Sequence, residues 1–343
     1  MSGALSAAPR GMSFVRLAIA KSIGESPSGA AMVAANRWGE TSAPARILRA
    51  AVGAATSAGL GEGFEDAATE FFDQVAQMSI VGRMAGLRQV PLLTPILSIV
   101  SGATGFWVGE GQAKPLSKMI FARDSLHPLK CIALTVVTEE LLKSADPAAE
   151  LAIRRDMLRA AAAAIDTSFV DPGNAGVDGV EPASITNSVV AQTAGSDATA
   201  DLKSMIANFS GDLETAYFVM RPDVAVSLAG ADRPNIGARG GEIYGIPAIT
   251  SRSAPEDTII LADAGGIAVG EGSAAIRMSR QPAIEMLDSA LQQDGTTGAG
   301  AAVVSLWQAN AMGILAERTM NWSVERSGSV SVLDGVDYAP FAT

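Results

Sequence analysis

Apolar positions recur at helical spacing in MSFVRLAIAKSI, PSGAAMVAANRW, APARILRAAVGAA and FEDAATEFFDQVAQM, with glycine and serine between the runs. The pattern predicts short helices and loops from residue 12 to about 80. Gly53, Gly59, Gly61 and Gly63 each disfavour helix and together argue against one long continuous helix. Between 89 and 122 the chain becomes strand-like and punctuated by glycine, in QVPLLTPILSIVSGATGFWVGEG and then PLSKMIFARDSL. Two extended arms joined at a glycine-rich tip account for it most simply. CIALTVVTEELLKS then passes from a β-branched strand into a helix start, with Thr138 as N-cap and Glu139 and Glu140 in the first turn.

The clearest local signal is DPAAELAIRRDMLRAAAAAIDTSFVDPG, residues 146 to 173. Asp146 suits the N-cap, Pro147 the first helical position, and Asp171-Pro172-Gly173 stops the helix. Leu151, Leu158, Ile165 and Phe169 fall near one face, while Arg154, Arg155 and Arg159 fall largely elsewhere. About 25 helical residues would span roughly 37 Å, enough to form the backbone of a domain. After a glycine- and serine-rich stretch at 173 to 198, a helix at ADLKSMIANF precedes a buried strand, TAYFVMRP, and a helix at DVAVSLAG. From the glycine-rich loop RPNIGARGGEIYG to residue 290, short strands alternate with turns in IPAITS, TIILADAGG, IAVGEG, AAIRMSRQ and PAIEML. AVVSLWQANAMGILAERTMNWSVER and GSVSVLDGV read mainly as further strands, giving an α+β chain without internal repeat.

Composition narrows the chemistry. The chain has 343 residues, nearly half of them apolar, ample for a buried core. Twenty-five basic against thirty-six acidic residues give a net charge of −11, which disfavours gripping nucleic acid. A single cysteine, Cys131, excludes an intrachain disulfide and any multi-cysteine metal site, and fits intracellular folding. No apolar run reaches the roughly 18 residues of a membrane span, and no secretory signal is indicated.

GFWVGEGQAKPLSK, residues 105 to 118, resembles a phosphate loop only superficially. Gln112 and Ala113 separate Gly111 from Lys114, and Pro115 pushes Lys114 away from helical geometry. IAVGEGSAA lacks the third glycine of a dinucleotide fingerprint, and no GxSxG elbow occurs. His127 and Cys131, four apart on an extended stretch, lack further ligands, so they read as a surface histidine and a packed cysteine. No catalytic, cofactor-binding or metal-ligating residue is expected.

In order, FWVGEGQAKPLSKMIF, LKCIALTVVTEELLKSADPAAELAIRRDMLRAAAAAIDTSFVDP, YFVMRPDVAVSL, GIPAITS and AVVSLWQANAMGILAERTMNW resemble the major capsid protein of tailed bacteriophages with the Hong Kong 97 fold, over roughly residues 85 to 335. The resemblance implies an extension loop near 100 to 128, a spine helix of a peripheral domain at 147 to 170, an axial domain at about 201 to 297, and a strand at 302 to 322 returning to the peripheral domain. The implied divisions are 1–80 as an N-terminal helical region or arm, retained or processed; 81–130 as N-arm and extension loop; 131–200 and 298–343 as the two parts of the peripheral domain; and 201–297 as the axial domain.

The implied function is a non-enzymatic shell subunit that assembles with itself as pentamers and hexamers into an icosahedral head. It would enclose double-stranded DNA without sequence-specific binding, with scaffolding, portal, protease and decoration proteins as further partners and no membrane. Its place is the virion capsid, assembled in the host cytoplasm. Some members are crosslinked through a loop lysine. Lys114 and Lys118 lie on the corresponding loop, but the partner asparagine and carboxylate find no match, and crosslinking is not expected. Candidate intersubunit contacts are Trp107, Glu110, Lys114, Lys118, Arg154 and Arg155, for each of which a packed or solvated role stands beside the interface role. Two other readings are an encapsulin-type compartment shell and a soluble α+β enzyme using scattered carboxylates.

Overall fold

The computed structural model describes residues 9–24, 26–53, 57–101, 107, 108, 110, 120–143, 146–279, 283–285, 303–306 and 310–338. Among them the helices are α1 (Met12–Gly24), α2 (Pro27–Trp38), α3 (Ala43–Gly53), α4 (Ser57–Met78), α5 (Ile80–Arg83), α6 (Glu139–Lys143), α7 (Pro147–Val170), α8 (Ala198–Ala207) and α9 (Pro222–Ser227). The first strands are β1 (Arg88–Gln89), β2 (Pro95–Ser101), β3 (Ile120–Ser125), β4 (Leu129–Thr138), β5 (Gln192–Thr193), β6 (Ala216–Met220), β7 (Ile236–Gly237) and β8 (Gly240–Ile243). They are followed by β9 (Ile246–Thr250), β10 (Thr258–Asp263), β11 (Ile267–Ser279), β12 (Ala283–Glu285), β13 (Val303–Ser305), β14 (Ala311–Val324) and β15 (Val330–Asp334). One sheet has the order β1-β11-β14-β4 and another the order β5-β15-β10-β6-β9-β8-β7, while β2 with β3 and β12 with β13 make two-stranded ribbons. The α+β class follows directly.

Packing divides the chain into two units, the first made of Met1–Val75, Ile132–Ala161 and Ser273–Arg318. Within it α1 is buried at Met12, Phe14, Val15, Leu17, Ala18, Ile19 and Ala20. A helix covered on so many sides belongs to a core rather than a surface. Small residues make this possible: Ala30, Ala31 and Ala34 of α2 and Ala45 of α3 share a cluster with Leu17, Ala20 and Leu48. Phe14 stacks on Phe71 with centroids 4.7 Å apart, and Phe72 meets Phe71 edge-on.

An expected break separates α2 from α3, and the stretch 54–56 between α3 and α4 lies outside the described residues, but Gly59, Gly61 and Gly63 lie inside α4 rather than interrupting it. Each glycine costs about 1 kcal/mol relative to alanine. Against that cost, the later turns of α4 bury Ala67, Ala68, Phe71, Phe72 and Val75 on one stripe, and helix extension from such an anchor is cooperative.

The second unit comprises Ala76–Cys131, Ala162–Gly272 and Thr319–Thr343. In its seven-stranded sheet β10 is an interior strand flanked by β15 and β6, and all six of its residues are buried. Ile260 pairs with Val219 of β6 on one side and Val332 of β15 on the other, both antiparallel. A continuous apolar run is what such an interior position requires. Leu202 and Met205 of α8 join Phe218, Met220 and Leu261 in the core against the sheet.

IAVGEG and AAIRMSRQ, read from the sequence as separate strands, form the single strand β11. Its glycines give close approach rather than a turn. A Cβ on Gly270 would sit 2.6 Å from Leu92 Cδ2, and one on Gly272 would sit 3.0 Å from Leu92 Cδ1.

Candidate functional site

The expected arm exists as the antiparallel ribbon of β2 and β3, paired from Pro95 with Ser125 to Ser101 with Ile120 and irregular between Ile99 and Ser101. Seven residues of β2 carry it roughly 23 Å from its base. The base is anchored: Leu93 N donates to Leu126 O at 2.9 Å, and Val90 N donates to Val269 O at 2.9 Å. Leu126 and Ala268 are buried together, with Val90 and Leu92 packed on them. Beyond Ser101 lie Trp107, which is completely exposed, and the exposed Val108 and Glu110. Lys114 and Lys118 lie outside the described residues.

The long helix α7 begins as expected. Asp146 Oδ1 accepts from Ala148 N at 2.8 Å, Pro147 opens the helix, and Leu158, Ile165 and Phe169 are buried. Its two candidate arginines differ in surroundings. Arg154 donates from Nε to the carbonyl of Arg10 at 2.8 Å and from Nη2 to Gln74 Oε1 at 3.4 Å. Arg155 is exposed. Glu150, in the first turn of α7, is buried between Arg16 of α1 at 3.3 Å and Arg37 of α2 at 3.6 Å. Both guanidinium groups also lie over Trp38, at 5.4 and 5.3 Å from its centroid.

Two carboxylates organise the second unit, and sequence reasoning missed both. Asp166 is buried in α7 and accepts from Ile80 N at 2.6 Å and from Ser251 Oγ at 2.9 Å. Burial pushes its pKa up to about 6, against the opposing pull of those two hydrogen bonds and of Arg83. Asp263, with no exposed surface, accepts from Asp212 N at 3.0 Å, Thr215 Oγ1 at 2.6 Å and Gly265 N at 2.9 Å, and pairs with Arg326 at 3.4 Å. The signal was present: each is a lone carboxylate in an apolar run, and a charge buried there requires donors.

An open groove of about 930 Å³ runs beside the loop 175–189, with His127, Val177, Asp178, Asn187 and Asn321 in its walls. Its floor is held by Trp322, whose Nε1 donates to Ala183 O at 2.8 Å and whose ring meets Phe169 edge-on at 5.2 Å. His127 is exposed, and its carbonyl accepts from Asn321 Nδ2 at 2.7 Å, while Cys131 is half-buried on β4. Among the described residues no three His, Cys, Asp or Glu side chains are grouped to hold a metal ion.

The second unit thus combines two buried carboxylates that hold loops with an arm anchored at its base, beyond which Trp107, Val108 and Glu110 face solvent. Residues 65–302 match the family model described as the phage capsid family, well over half of the chain, and the chain belongs to that family. It is 34% identical over 322 residues to the capsid polyprotein of Pseudomonas phage PAJU2, covering 85% of this chain and 48% of that protein. The chain thus spans about half the length of this curated relative.

Among solved structures, one from Gordonia phage Cozz is similar at 18% identity and a TM-score of 0.49, covering 76% of this chain and 86% of that one. The capsid of a native GTA particle is similar at 14% identity and a TM-score of 0.48, covering 77% and 90% respectively. Family membership makes the chain a capsid shell protein rather than an enzyme, and disfavours the compartment reading.

Proposed function

We propose that this chain is the major shell subunit of a phage head, assembling as pentamers and hexamers around double-stranded DNA in the host cytoplasm. The observation that carries the proposal is the ribbon of β2 and β3 in a member of a capsid family, anchored at its base and bearing a fully exposed tryptophan beyond its paired residues. A large aromatic side chain left in water is typical of surfaces that become buried on association. In this reading the ribbon is the Hong Kong 97-type extension loop lying on a neighbouring subunit, α7 is the peripheral spine, and residues 201–297 face the capsomer axis.

Trp107 supplies apolar contact area. Glu110, Lys114, Lys118 and Arg155 supply intersubunit ion pairs, and Arg154 joins them while keeping its contacts within the subunit. The net charge of −11 suits a lining that leaves packaged DNA free to move. Scaffolding, portal, protease and decoration proteins complete the assembly.

Electron microscopy and sedimentation of the expressed protein test the proposal. Closed shells built of five- and six-subunit clusters are expected. A protein that stays monomeric or dimeric under all assembly conditions refutes it, and particles filled with protein cargo instead of DNA favour a compartment.

A further inference from the structure

We propose that helices α1–α4 are a permanent domain of the shell subunit, retained in the finished particle as a clamp on the first half of α7. The inference rests on the shell function proposed above. The family match begins at residue 65, so α1, α2 and α3 lie outside it. They nevertheless form part of the same core as residues inside it. α1 packs against α2, α3 and α6, and Leu17 of α1 shares a cluster with Ala67 of α4.

Three polar attachments bind this module to the rest of its unit. Glu150 of α7 is buried, with Arg16 and Arg37 as partners. Arg154, one turn further along α7, donates to Arg10 O and Gln74 Oε1. Arg318 of β14 lies 5.6 Å from the ring centroid of Phe72 in α4. Removing α1–α4 would strip Glu150 of both arginines and leave a carboxylate designed for burial without them. Here α4 passes into α5 through Ser79 alone, which is buried and caps α5 by accepting from Gly82 N at 3.1 Å. Ile80, directly after it, is buried with its N–H on Asp166.

The test is the intact mass of the subunit from mature particles recovered from producing cells. The expected mass is that of a chain beginning at or before Met12. A subunit beginning anywhere beyond α1 overturns the clamp, whereas mature particles without this chain overturn the shell function and the inference with it. A second measurement uses unassembled subunits carrying Arg16→Met and Arg37→Met. Chymotrypsin is expected to remove the N-terminal helices at least about tenfold faster than in the unaltered chain, because Glu150 is left buried without its cations. Arg16→Lys with Arg37→Lys is expected to restore most of the protection. An unchanged digestion rate in the methionine variant overturns the clamp.

Discussion

Replacing Asp166 with asparagine removes a buried charge while keeping the shape and one acceptor oxygen of the side chain. In the folded chain its carboxyl has a pKa of about 6 against an ordinary 3.8, a rise of about two units. At 1.36 kcal/mol per unit, the ionised form costs about 3 kcal/mol at neutral pH. For a carboxyl whose folded pKa is raised, the native state holds the proton more tightly than the unfolded chain. Its contribution is therefore most favourable below pH 3.8, declines as pH climbs towards 6, and is flat above. Asparagine does not titrate. It keeps the bond from Ile80 N but replaces the acceptor for Ser251 Oγ, a loss of about 1 kcal/mol.

Asp166→Asn should thus be about 1–2 kcal/mol more stable than the unaltered subunit at pH 7.5 and slightly less stable at pH 4. The assay is thermal or urea unfolding of unassembled subunits at several pH values, read as the difference between the two proteins so that other carboxylates cancel. A difference that does not change between pH 4 and 7, or that favours aspartate increasingly as pH rises, refutes the reasoning. That outcome would mean that Arg83 and the two donors outweigh burial.

Asp263→Ala should cost about 3–5 kcal/mol, because it orphans three donors and the Arg326 guanidinium at once, and urea unfolding should show it as a lowered midpoint with an unchanged slope. Trp322→Ala should cost about 3–5 kcal/mol through lost packing on Phe169 and a lost hydrogen bond to Ala183, with Trp322→Phe recovering much of the packing part. Trp107→Ala should leave subunit unfolding within about 0.5 kcal/mol, since the side chain is fully exposed, while lowering particle yield or the temperature at which shells come apart. Normal yield and normal shell melting in that variant would remove Trp107 from the proposed interface.

What the sequence made legible was local. The start of α7 could be read because Asp146 and Pro147 act on their own neighbours, and the β2–β3 ribbon could be read because glycine falls between two apolar runs. Residues whose roles depend on distant partners could not be read this way. Glu150 satisfies Arg16 and Arg37, which precede it by more than a hundred positions, and Asp166 meets Ile80 and Ser251 from opposite directions along the chain. Glycine misled twice for the same reason. Its local preference predicts interruption, but in α4 burial of the later turns carries the helix through, and in β11 the missing side chains make room for Leu92. Order and spacing of whole segments carried the family resemblance, which no single motif could.

The ribbon of β2 and β3 has a consequence for the free subunit. Among the described residues the ribbon has only two strands and no third strand pairs with it, and a two-stranded ribbon is marginally stable by itself and prone to pair with other strands. Each newly made chain therefore carries an adhesive appendage from the moment it folds. Its time in solution is a hazard that ends on incorporation into a shell. Crowded expression without assembly should give sediment rather than a stock of monomers, and dilution or shortening of the ribbon should keep the subunit in solution.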